Sequence, residues 1–193
     1  MAIRRFSTTE FGAKSNKFWD QDTAQGAMEP ISSQSLTNAV VHGYSNIPQH
    51  YQDLMLVISA TSNNDSALVI DNVSGGISFT GSATWLGGTG SAAYSARSTN
   101  FSNFVAFTTG ANAFLKAGVP TTLIIHFLNY KSTTQFKTIL GRCGSDANGS
   151  GFTWMVTGLI QNNAAITGFN ISTQNVSNFL TGMSTLYGIK AGA

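Results

Sequence analysis

Asp53-Leu54-Met55-Leu56-Val57-Ile58-Ser59-Ala60 is the stretch on which the fold turns. It is a continuous apolar run of strand length, which predicts a strand buried on both faces. Met183-Ser184-Thr185-Leu186-Tyr187-Gly188-Ile189-Lys190 echoes it near the end of the chain and reads as the strand that closes a sheet. A strand pair drawn from such distant parts of the sequence seals a β-sandwich. It points to a protein that works through its surface and its contacts.

Working outward, residues 32 onward alternate strand and turn signals. Leu36 to Val41, Ala67 to Asp71, Ile77 to Thr80, Ala93 to Ser98 and Asn103 to Thr108 have strand length. Thr121 to Asn129 is β-branched and is led in by Pro120. Thr133 to Leu140, Phe152 to Thr157 and Ala164 to Ser172 complete the series before the closing strand. Gly87-Gly88-Thr89-Gly90-Ser91 and Gly144 to Gly151 read as loops, because their glycines and small polar residues favour turn conformations. Short helical turns are expected near Ala111 to Ala117 and Asn175 to Leu180. About eight to ten strands with turns between them predict an all-β, antiparallel β-sandwich, jelly-roll-like in architecture.

Residues 1–30 differ from this body. They concentrate charge at Arg4, Arg5, Glu10, Lys14, Lys17, Asp20, Asp22 and Glu29, with Phe6, Phe11, Phe18 and Trp19 between them. No period of 2 or 3.6 runs through them, and Pro30 marks a boundary. The expected organisation is an extended N-terminal arm over 1–30 and a sandwich domain over 31–193. Aromatic residues are seldom kept on a free tail, so Phe6, Phe11, Phe18 and Trp19 are the expected anchors of an arm that docks.

Composition narrows the function. Charged residues make up 9% of the chain and the formal net charge is +2, against about 25% charged in ordinary globular domains. Weak long-range fields argue against steering of nucleic acid, and no basic stripe is present. Low colloidal repulsion suits a chain that lives inside an assembly. The longest apolar run is strand-sized, so no membrane helix is expected. The N-terminus lacks the apolar stretch of a signal peptide, which predicts synthesis in a cytoplasm.

Reaction chemistry is not visible. Asp53, Asp65, Asp71 and Asp146 form no close pair in sequence, and Asp53 at a strand start reads as a cap. His42, His50 and His126 lack metal-ligand spacing, so neither a metal nor a cofactor is expected. Cys143 stands alone and reads as a small buried hydrophobe. Asp146-Ala147-Asn148-Gly149-Ser150 resembles the start of a calcium loop but lacks its closing Glu, and an Asn-Gly turn explains it. A sugar-stacking platform has the candidates Trp85, Tyr94, Trp154 and Tyr187, with Asn148 as a polar neighbour. Trp85, beside the glycine-rich loop, is the candidate expected to be exposed, whereas Trp154 within an apolar strand reads as core.

Several short motifs carry a likeness. Ile47-Pro48, Tyr51, Leu54, Leu56 and Ser59-Ala60 are followed by Phe136-Lys137-Thr138, by Trp154 and by Leu186-Tyr187-Gly188-Ile189. Together they resemble a recurrent module of structural proteins in tailed bacteriophages, found in tail-fibre-like and other virion proteins. Lys14-Ser15-Asn16-Lys17-Phe18-Trp19-Asp20 looks like the leader of virion proteins from marine and cyanobacterial phages. The Asp-Tyr usual before the middle strand is Asn129-Tyr130 here, and Met155 rather than a basic residue follows the late Trp. The resemblance implies a non-enzymatic β-sandwich virion component with no catalytic residues. The expectation is a tail-fibre, baseplate or neck appendage protein, or a capsid decoration protein, made in the host cytoplasm and carried in the virion. Other virion proteins are its expected partners, with a homo-oligomer, a trimer favoured. A host-surface glycan is a further candidate ligand, and neither nucleic acid nor membrane is expected.

Overall fold

The computed structural model describes residues 28–71, 81–101, 104–105, 115–146, 151–174 and 180–190. These form strands and connections with no helix among them. The strands are β1 (Met28–Ala39), β2 (Val41–Tyr44), β3 (Asp53–Ser62), β4 (Leu68–Asp71), β5 (Gly81–Gly88) and β6 (Ala93–Phe101). They continue with β7 (Phe104–Val105), β8 (Thr121–Leu128), β9 (Lys137–Ser145), β10 (Phe152–Ile160), β11 (Phe169–Thr173) and β12 (Leu180–Ile189). An eight-stranded sheet runs β1-β12-β3-β8-β9-β10-β5-β6, and a four-stranded sheet runs β2-β11-β4-β7. Every pairing between these strands is antiparallel. The antiparallel β-sandwich expected from the sequence is therefore the fold, divided as eight strands on four.

The two stretches that first suggested it pair with each other. Ile189 lies opposite Asp53, Leu186 opposite Leu56 and Leu180 opposite Ser62. β12 is interior rather than terminal, because β1 adds outside it from Met28 opposite Ile189 to Ala39 opposite Leu180. The sandwich body thus begins by Met28, inside the range read as arm. Pro30 does not end the strand. It sits on the edge strand of the sheet, beside a register shift between Pro30 and Ser32, where a missing N–H is tolerated.

Period-two alternation sets the inner face. Leu54, Leu56 and Ile58 of β3 are buried and face the same way as Leu123, Ile125 and Phe127 of β8. Ile139 and Cys143 of β9 continue the face, as do Trp154 and Val156 of β10 and Ala83 and Trp85 of β5. The smaller sheet supplies Tyr44, Leu68, Ile70, Phe169 and Ile171. The sheets meet where Phe127 stacks on Phe169, ring centroids 5.0 Å apart. Tyr44 also tilts against Phe169, ring centroids 5.2 Å apart. Its hydroxyl crosses to Ser184 Oγ on β12 at 2.6 Å, which satisfies two polar groups inside the core.

One end of the sandwich is closed by the loop before β3. The Tyr130 hydroxyl donates to the Pro48 carbonyl, Ile47 N–H to Thr167 O, and the Gln49 amide to both Ile47 and Ile166 carbonyls. The Tyr51 ring lies against Gly188 and occupies the space that a Cβ would take there. The Tyr51 hydroxyl donates to Glu29 on β1, and Lys190 pairs with the same carboxylate. Lys190 and then Tyr51 hold that carboxyl below its ordinary range. The residues Ile47, Pro48, Tyr51 and Gly188 of the sequence motif therefore act together as an end clasp.

Several sequence expectations need correction. The strand read over Ala164 to Ser172 begins only at Phe169, and Gly144 and Ser145, read as loop, end β9. β3 is not buried on both faces, since Met55 and Val57 are only half-buried. The third strong strand starts at Lys137 rather than Thr133, because residues 129–135 form a turn. Asn129 there takes φ 55°, and Ser132 Oγ accepts from the backbone N–H groups of Thr134 and Gln135. Gly87 and Gly88 belong to β5, so the loop is confined to residues 89–92. The predicted strand Ile77 to Thr80 lies outside the described residues, as do most of the two expected helical turns. In the described parts of those turns, Leu115 and Ala117 make isolated β-bridges and Leu180 begins β12.

Replacing Phe127 by Ala should lower the unfolding free energy by about 3–5 kcal/mol, as for other large-to-small changes in packed cores. Urea unfolding checks this; a loss below about 1 kcal/mol would place the inter-sheet contact elsewhere.

Candidate interaction surface

The side chains that alternate away from the core form the outer face of the eight-stranded sheet. Register aligns them in rows. Leu86, Met155, Arg142, Ile124 and Val57 lie side by side across β5, β10, β9, β8 and β3. The next row holds Thr84, Thr157, Leu140, His126, Met55 and Tyr187. Met155 and Leu86 are 61% and 60% exposed and Leu140 is 40% exposed. Single exposed hydrophobics are ordinary, but Leu86 and Met155 side by side with Leu140 in the next row make an apolar patch of the kind found at interaction sites.

Two hollows flank Met155. One lies among Thr122, Ile124, Arg142, Gly144 and Thr153, and the other among Thr84, Leu86, Leu140 and Thr157. The first exists because Gly144 puts no side chain between Thr122 and Thr153, its partners on either side. A Cβ built there would meet only Phe152 O, at 3.9 Å, so packing does not demand the glycine.

Over β5, β6, β8, β9 and β10 the charge of this face has one sign, and Asp53 lies on the same side at the start of β3. The outward positions of β8, β9 and β10 carry Arg142 and His126, and Arg97 of β6 lies opposite Thr84 on the same side. No carboxylate occupies the outward positions of β5, β8, β9 or β10. The ion pairs among the described residues are Lys116 with Asp65 at 2.7 Å and Lys190 with Glu29 at 2.5 Å, and neither involves Arg142 or Arg97. The face therefore offers thioether and aliphatic surface around a guanidinium.

The residues singled out from the sequence fall elsewhere. Trp85 is 4% exposed and points inward from mid-β5, which corrects its reading as an exposed sugar platform. Tyr94 is half-buried on the inner side of β6, its ring 6.1 Å from Trp154. Both flank Gly87, over which the Trp154 indole packs. Trp154 is core, as the apolar context of its strand predicts. Tyr187 is half-buried on the outer side of β12. Phe6, Phe11, Phe18, Trp19 and Asn148 lie outside the described residues.

The titratable groups have structural work. Asp53 caps the turn after β8 by accepting from the Asn129 N–H. Asp65 takes Lys116 and the Ala117 N–H, which hold its carboxyl low. Cys143 is buried, and burial pushes its thiol up, so it is an inert hydrophobe rather than a nucleophile. Lys137 lies fully buried beside Ile160 and donates to the Asn162 carbonyl at 3.1 Å; desolvation pulls its amine down. No three His, Cys, Asp or Glu side chains gather among the described residues.

The apolar outer face was the feature that sequence reasoning missed, though its signal was present. Apolar residues occupy both parities of β3, and Ile124, Leu140 and Met155 repeat this on its neighbours. Burial of Trp85 and Trp154 predicts that, in a Trp19→Phe variant, iodide barely quenches tryptophan emission until the protein is unfolded. Strong quenching of the native protein would contradict it. Comparison with protein-family models, with curated proteins and with solved structures gives no match to this chain.

Proposed function

We propose that this chain is a non-enzymatic structural component of a tailed-bacteriophage virion, in a tail fibre, baseplate or neck appendage. It joins its neighbours through the residues that precede β1. The observation that carries this reading is the outer face of the eight-stranded sheet, where Leu86, Met155 and Leu140 form an open apolar surface around Arg142. β3 has the apolar composition of a strand covered on both sides, yet Met55 and Val57 on its outer side are only half-buried. A surface of that kind suits a subunit whose cover comes from an assembly. The sequence motifs and the aromatic, charged character of residues 1–27 support the same reading.

Capsid decoration is the variant of this reading that uses the same face, and copy number and location in the particle separate the two. An appendage has few copies in a cyclic arrangement on the tail, and a decoration protein has many over the shell. A protein lacking residues 1–27 keeps all twelve described strands and should fold as the full chain does, by circular dichroism and thermal melting. Supplied during infection in place of the full chain, it should be missing from purified particles. Normal incorporation of the truncated protein would defeat the proposal.

A further inference from the structure

We infer that the segment Phe18-Trp19-Asp20-Gln21-Asp22 of one copy seats on the outer face of the eight-stranded sheet of a second copy. Its rings would fill the hollows beside Met155, and Asp20 and Asp22 would meet Arg142 and Arg97. This deepens the proposed assembly role and rests on that reading.

Three observations select this occupant. The first is chemical complementarity. The face is apolar and cationic at Leu86, Met155, Leu140, Arg142 and Arg97, and Phe18 to Asp22 combines two large aromatic rings with two carboxylates. Aromatic anchors in apolar hollows beside desolvated opposite charges are the pattern of interface hot spots.

The second disfavours the simplest alternative, the same face of another copy. Packing the middle of this face on itself would bring the cationic patch of Arg142 and Arg97 against its own counterpart, where β5, β6, β8, β9 and β10 supply no outward carboxylate to offset it.

The third concerns reach. Met28 lies in the row of Ile189 and Asp53, whereas Arg142 lies in the row of Thr185 and Val57. That row is four residues further along β12 and four strands across from β1. At about 3.3 Å per residue and 4.8 Å per strand, the separation is about 23 Å. A segment folding back over its own sheet must reverse direction at Met28, and a tight turn takes about four residues. Only five residues of chain lie between Asp22 and Met28, six Cα steps that span about 20 Å fully extended and less once the turn is made. The sheet of a neighbouring copy imposes no such limit. Exchange of this kind closes into a cyclic oligomer where the rotation between copies allows it.

The test uses the full chain and measures self-association by light scattering and sedimentation over a dilution series. The wild type should associate into a closed oligomer. Arg142→Glu, which alters only an exposed position, should weaken association by at least about tenfold with unchanged melting. Gly144→Leu, which fills the hollow, should do the same. Asp20→Lys with Asp22→Lys should also weaken it, and combining those changes with Arg142→Glu should restore much of the loss. Cross-linking between isotopically light and heavy copies should join residues 14–22 to β9 or β10 of the other copy. Cross-links confined to a single copy, or association unchanged by both Arg142→Glu and Gly144→Leu, would overturn the inference. The assembly reading is judged separately by particle incorporation of the protein without residues 1–27. Particles that require those residues but tolerate Arg142→Glu would overturn this seat while leaving that reading intact.

Discussion

The stacking of Phe127 on Phe169 is the contact on which the architecture depends. It fixes the distance between the two sheets and decides which parity of β8 faces inward. Through the register of β8 with β3 and β9, that choice propagates to β12 and β1 on one side and to β10, β5 and β6 on the other. A slip of one residue anywhere in this series would exchange the inner and outer sets. The Tyr44–Ser184 hydrogen bond and the Tyr51–Gly188 contact pin the same register at β12. The composition of the outer face is thus a consequence of the core: once Phe127 points inward, Ile124, Arg142, Met155 and Leu86 must share the other side.

That coupling explains how much could be read in the sequence. Asp53–Ala60, Thr121–Leu128 and the final strand were legible because they are rich in aliphatic and β-branched residues and bounded by turn formers. Their direct pairing follows from the same apolar pattern at both ends of the chain. Asp53 was legible as a cap from its place at a strand start. β5 was not, because Gly-Ser-Ala-Thr-Trp-Leu-Gly-Gly has the composition of a loop and becomes a strand only by lying between β10 and β6. That omission is also why Trp85 looked exposed. A tryptophan at the edge of a loop reads as surface, whereas one at the third inward position of a strand is core.

The interaction surface was harder to see for a different reason. A run with apolar residues at both parities signals two covered faces but does not say what provides the second cover. The sequence reading assigned it to the fold, and among the described residues Leu86, Met155 and Leu140 stay exposed. Residues 1–27 carry aromatic rings and carboxylates but fall outside the described residues, so the proposed docking rests on chemical complementarity rather than on the fold. The glycine at 144 illustrates the limit: as a letter it marks a turn, and only its place between Thr122 and Thr153 turns it into the floor of a hollow.

The central claim is that the outer face of the large sheet is covered when the protein is assembled. Oxidative footprinting of Met155 tests it most directly, because this thioether stands at the middle of the face and is 61% exposed in the isolated chain. In the assembled full-length protein, Met155 should oxidise much more slowly than in the protein lacking residues 1–27. Equal oxidation of Met155 in the two would contradict the account.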